Sequence, residues 1–179
     1  RNRICDEGLI GLGSNLSKLT NLVTLELLLE RNNISQLSIT TLSSDLSKLT
    51  NLTKLALNLD ENNITSQGVT ELAVGLSKLS KLQILRLILR RNNLFNEAAS
   101  ILGSELAKLT NLIALKIYLS QNAIENEGAS ILSTELAKLT KLLTLEVYLS
   151  YNRIQQQYKR QLKVKGLKKK KLVQYVFYI

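Results

Sequence analysis

Asparagine recurs every 30 residues along the whole chain, at Asn2, Asn32, Asn62, Asn92, Asn122 and Asn152. Leucine keeps the same step in two further registers. One runs through Leu22, Leu52, Leu82, Leu112, Leu142 and Leu172, the other through Leu12, Leu42, Leu72, Leu102, Leu132 and Leu162. A fixed period of this size constrains the fold more than local propensity does, because no single unit can bury its apolar face alone. The chain reads as one stacked array over residues 1–179.

The hydrophobic period changes inside each unit. Leu25, Leu27 and Leu29 alternate with a step of two, which describes a strand with one buried face. Ala98, Ala99, Leu102, Leu106 and Leu109 recur at threes and fours, which describes one face of a helix. Asp6, Ser66, Asn96 and Asn126 stand where these helices begin and are expected to act as their N-caps. Proline is absent, so it interrupts neither element.

A helix returning the chain to the next strand makes neighbouring strands parallel. Parallel strands lie ~4.8 Å apart, whereas packed helices need about 8–10 Å. The stack must curve with its strands inside. The expected fold is an α/β curved right-handed solenoid of about five full units plus a partial sixth, with a concave parallel sheet and convex helices. The asparagines fall where the chain leaves the strand. Backbone groups lose their ladder partners there and must find others. An amide side chain both donates and accepts, so Asn32, Asn62, Asn92, Asn122 and Asn152 are expected to form a structural ladder joining one turn to the next.

The unit Leu-x-x-Leu-x-x-Leu-x-Leu-x-Leu-x-x-Asn-x-Ile, seen in Leu109, Leu112, Leu115, Ile117, Leu119, Asn122 and Ile124, resembles the leucine-rich repeat. Glu127-Gly128 and the helical stretch 129–139 look like the ribonuclease-inhibitor-like class. The resemblance spans the chain and implies a horseshoe that binds proteins without catalysis. A third inward strand residue (Leu29, Leu59, Leu89, Leu119, Leu149) lengthens the strand and brings the unit to 30 residues. In that respect it is similar to long, asparagine-rich ciliate repeats. The start at Arg1-Asn2-Arg3-Ile4 matches Arg31-Asn32-Asn33-Ile34, and Leu172, Tyr175, Phe177 and Ile179 fall on the buried positions of a sixth strand. Both ends are thus expected to be cut within a repeat.

Charge is concentrated at one end. Of 24 lysines and arginines, eight lie in residues 157–179, an atypical basic terminal repeat with no acidic residue. These are Lys159, Arg160, Lys163, Lys165, Lys168, Lys169, Lys170 and Lys171. They form a basic patch for an acidic protein, a nucleic acid or an anionic membrane, or simply a solvated end helix. Lys18, Lys48, Lys78, Lys108 and Lys138 form a second series at the helix C-termini, where cations complement the helix dipole. The single cysteine, Cys5, forms no disulfide within the chain, which fits a reducing, cytoplasmic setting. No apolar run reaches the ~18 residues of a membrane span. Four glycosylation sequons begin at Asn15, Asn33, Asn51 and Asn63 and require a secretory route.

The absence of histidine removes Ser-His-Asp and Cys-His catalysis and histidine metal sites. No phosphate-binding loop occurs. The chain is read as no enzyme and as needing no cofactor. The outward strand positions vary where the inward ones repeat, and they form the candidate partner-binding face. Arg86, Arg90, Arg91, Tyr118, Tyr148 and Tyr151 make its most site-like cluster, since arginine and tyrosine are enriched at binding hot spots. The plain alternative is a solvated strand face, with Asp60 and Glu61 within cross-strand reach of Arg90 and Arg91. The favoured reading is a protein-interaction module with a protein partner. The others are a structural subunit stacking through its terminal repeats and a contact through the basic terminal repeat.

Overall fold

The computed structural model describes residues 4–158 and 174–179, of which 174–177 by their backbone. Helices alternate with strands: α1 (Cys5–Leu16), α2 (Gln36–Leu46), α3 (Ser66–Ser77), α4 (Asn96–Leu106) and α5 (Asn126–Leu136). The strands are β1 (Thr24–Leu28), β2 (Lys54–Asn58), β3 (Ile84–Ile88), β4 (Ala114–Tyr118), β5 (Thr144–Tyr148) and β6 (Gln174–Tyr178). All pair in parallel in sequence order, and every pair is in register at a step of 30 residues. This is the expected α/β solenoid, with a parallel sheet on one side and the helices on the other.

Leu55, Leu85 and Leu115 stack in one buried column, and Leu57, Leu87 and Ile117 in the next. The core continues from these columns to the helix leucines, such as Leu72, Leu102 and Leu132, without a break between units. Small residues let the helices close on one another. A methyl group at Gly103 would come within 2.9 Å of the Leu132 Cα, so α4 approaches α5 where glycine leaves room.

The strand ladder runs beyond β1–β5. The N–H of Leu89 donates to the Tyr118 carbonyl at 2.8 Å, and that of Arg91 to the Ser120 carbonyl at 3.2 Å. The chain then turns through a left-handed residue at Arg31, Glu61, Arg91, Gln121 and Tyr151, with φ of 52–60°. These five non-glycine residues are turn residues and not outward strand positions. The side chains of Asn62, Asn92 and Asn122 stand at the bend. Asn92 is buried. Its Nδ2 donates to the carbonyls of Leu59 and Arg90, each at 3.0 Å, and its Oδ1 accepts the Ile64 N–H at 3.1 Å. Asn122 repeats the arrangement on Leu89, Leu119, Asn92 and Leu94. Each amide therefore ties its own turn to the preceding one.

The N-cap reading needs correction. Ser35 and Thr65 cap α2 and α3 with their side chains, whereas Ser66, Asn96 and Asn126 are the first residues of their helices. Their side chains serve the following repeat. Asn96 Oδ1 accepts the N–H groups of Glu125 (2.8 Å) and Gly128 (3.2 Å), capping α5 from the neighbouring unit. Asn126 accepts from Gln155, and Ser66 from Phe95, in the same way. Asp6 takes the Ser35 N–H at 2.9 Å and the hydroxyls of Ser35 and Ser38. Burial raises the Asp6 pKa and these donors lower it, with a net depression below the ordinary carboxylate range.

Helix ends differ in a second respect. α4 and α5 stop at Leu106 and Leu136, so Leu109 and Leu139 lie past them. Leu109 N–H reaches back only three residues, to the Leu106 carbonyl, and this tighter turn keeps the side chain in the core. Lys48, Lys108 and Lys138 likewise sit just beyond their helices, where each pairs with the acid three residues before it.

Candidate binding surface

Alternation along a strand sends every second side chain away from the core. Register then stacks these side chains into columns. The first runs Thr24, Lys54, Ile84, Ala114, Thr144; the second Glu26, Ala56, Arg86, Lys116, Glu146; the third Leu28, Asn58, Ile88, Tyr118, Tyr148, Tyr178. The sheet face changes character across the array. Acids lie at β1 and β5, cations at β2–β4, and aromatic rings at β4–β6.

The three tyrosines form a stack. Ring centres are 4.4 Å apart between Tyr118 and Tyr148 and 4.6 Å between Tyr148 and Tyr178, with planes 6° and 13° from parallel. Strand spacing sets this separation, so the rings cover one another's faces and present their edges. The Arg86 guanidinium lies over the remaining face of Tyr118, 5.6 Å from the ring centre. Beside it a shallow hollow of about 350 Å³ is lined by Ile84, Leu85, Arg86, Ala114, Lys116 and Tyr118.

Glu146 is buried beneath the tyrosines. It takes Lys116 Nζ at 2.9 Å on one oxygen and the Tyr148 hydroxyl at 3.1 Å on the other. Burial, reinforced by this carboxylate, pushes the Tyr148 hydroxyl well above its ordinary range, so it stays protonated and donates.

Two members of the sequence cluster are already engaged. Arg90 pairs with the largely buried Asp60 at 2.7 Å. Arg91 contacts Glu61 at 3.1 Å and Gln121, while Arg31 reaches the same Glu61 at 2.7 Å. Arg31 above all holds the Glu61 carboxyl below its usual range. Tyr151 stands in its turn, 83% exposed and away from the ring stack. The structure thus brings Arg86, Tyr118 and Tyr148 together, with Arg90 and Arg91 on the rim. It adds Ile84, Lys116, Glu146 and Tyr178 to them. The period itself carried that signal, since it puts Lys116 and Glu146 in the Arg86 column.

Lys159, Arg160, Lys163, Lys165 and Lys168–Lys171 lie outside the described residues, as do the side chains of Leu172, Tyr175 and Phe177. No helix among the described residues is long and apolar enough to cross a membrane.

No family model and no curated protein matches the chain. Among solved structures it is similar to the internalin inlF of Listeria monocytogenes, with 22% identity and a TM-score of 0.41. The match covers 92% of this chain and 50% of that one, so the chain spans half the length of that internalin.

Proposed function

We propose that the chain is a non-catalytic protein-interaction module that recognises a protein partner through the concave sheet. The observation carrying this reading is the hollow beside Arg86, where exposed Ile84 and half-buried Tyr118 meet, continued by the ring stack of half-buried Tyr148 and exposed Tyr178. Such a patch on a rigid frame supplies hot-spot chemistry at low ordering cost. The units are further read as ribonuclease-inhibitor-like, because each complete one carries a helix of 11 or 12 residues on its convex side.

The test is selection of a random-peptide display library on the folded chain, followed by binding to variants. Ile84→Glu in the hollow should abolish binding of the selected peptides, and Lys108→Ala on the convex side should leave it unchanged. Equal effects from the two would contradict the reading.

A second reading, stacking through the terminal repeats, is favoured by Leu19, Val23 and Leu28, each more than half exposed in the first repeat. A further repeat or another subunit would cover them. Sedimentation velocity tests it: self-association lost in Leu28→Glu supports stacking, and a concentration-independent monomer opposes it.

A further inference from the structure

Four cations project from β3, β4 and the turn after β3, and three have a carboxylate. Arg90 has Asp60, Arg91 has Glu61, and Lys116 has Glu146. Arg86 has none among the described residues. Its guanidinium rests on the Tyr118 ring, whose other face Tyr148 covers. A guanidinium resting on a ring keeps its planar fork of N–H donors free, and that fork matches a carboxylate. The hollow at its side has Ile84 and Ala114 on its wall, with Ile84 39% exposed.

Resting on the concave-face reading above, we infer that this hollow binds an extended acidic segment of a polypeptide partner. An Asp or Glu side chain meets Arg86, and an apolar side chain two residues away packs on Ile84 and Ala114. The spacing follows from geometry. Ile84 and Arg86 are alternate residues of β3, and an extended segment lying along it presents its own alternate side chains at the same step of ~6.6 Å. Charge complementarity selects the acid. Of the neighbouring cations on the face, Lys116 is already held by Glu146, and Lys54 stands opposite Ile84, so the acid at the Arg86 step is met by Arg86.

The experiment uses the same library selection on the intact chain. Enriched peptides are then made with a fluorescent label and measured by anisotropy. The expected consensus places Asp or Glu two positions from an apolar residue. Arg86→Gln should weaken such a peptide at least about tenfold, and Arg90→Gln should weaken it much less. A peptide with Asn in place of its acid should lose the same factor on the parent chain and nothing further on the Arg86→Gln chain. Circular dichroism establishes that both variants remain folded. Absence of enriched acidic peptides, or equal affinity for parent and Arg86→Gln, overturns the inference. Peptides that require Ile84 but neither an acid nor Arg86 would leave the concave-face reading standing alone. Peptides indifferent to Arg86, Ile84 and Tyr118 would remove both.

Discussion

The two faces of β4 obey different rules although they share one backbone. Leu115 and Ile117 point inward, are fully buried and sit in columns that are leucine, isoleucine or valine from β1 to β5. Lys116 and Tyr118, one residue over, sit in columns that change from acid to base and from leucine to asparagine to tyrosine. On the inner face each side chain must fill a space fixed by identical neighbours, so the residue type is dictated. On the outer face each side chain answers only to what lies beside it. Core packing and surface chemistry are thus separated by a step of one residue.

The separation predicts where substitutions act. Leu115→Ala should have the largest effect, about 2–5 kcal/mol lost from stability through removed burial and a residual cavity. Urea unfolding followed by circular dichroism measures it, and a loss below about 1 kcal/mol would place Leu115 outside a tightly packed core.

Asn92→Ala comes next. It leaves the carbonyls of Leu59 and Arg90 and the N–H of Ile64 without this partner, at a cost of about 1–3 kcal/mol. The same urea experiment checks it. A neutral result would mean that water replaces the amide and that the turn-to-turn ties add little.

The smallest effect is local and pH-dependent. The folded-state pKa of Asp6 lies below its unfolded value of about 3.9. Its contribution is therefore complete above that value and is lost as pH falls through the folded pKa. The Ser35 N–H, which donates to Asp6 at 2.9 Å, should lose protection from hydrogen exchange in this acidic window. Asp6→Asn should flatten that part of the profile, by no more than about 1 kcal/mol. An unchanged profile would show that the junction of the first two repeats is held by other contacts.

The frame was legible in the chain because its signal is written five times at one spacing, and inward columns need nothing else to be recognised. The connections between repeats were less so. The Asn96 side chain looks like a cap for its own helix, but its acceptor is used 29 and 32 residues later, a partner that local pattern does not show. The left-handed turns escaped notice because Arg, Glu, Gln and Tyr fill them where glycine would have marked the bend. On the concave face alternation identified the outward residues, yet it did not separate Arg86 from Arg90 and Arg91. That distinction depends on which long side chains reach a carboxylate, which only side-chain geometry decides.

The most direct measurement sets Leu115→Ala beside Arg86→Gln and records two quantities for each, the urea midpoint and the affinity for a concave-face peptide selected on the parent chain. The predicted result is a crossed pattern. Leu115→Ala lowers the midpoint while its folded population binds with nearly parental affinity, and Arg86→Gln keeps the unfolding free energy within about 0.5 kcal/mol of the parent while affinity falls. If both substitutions lowered both quantities together, the two faces would not be independent, and the division of the strand into frame and recognition surface would be wrong.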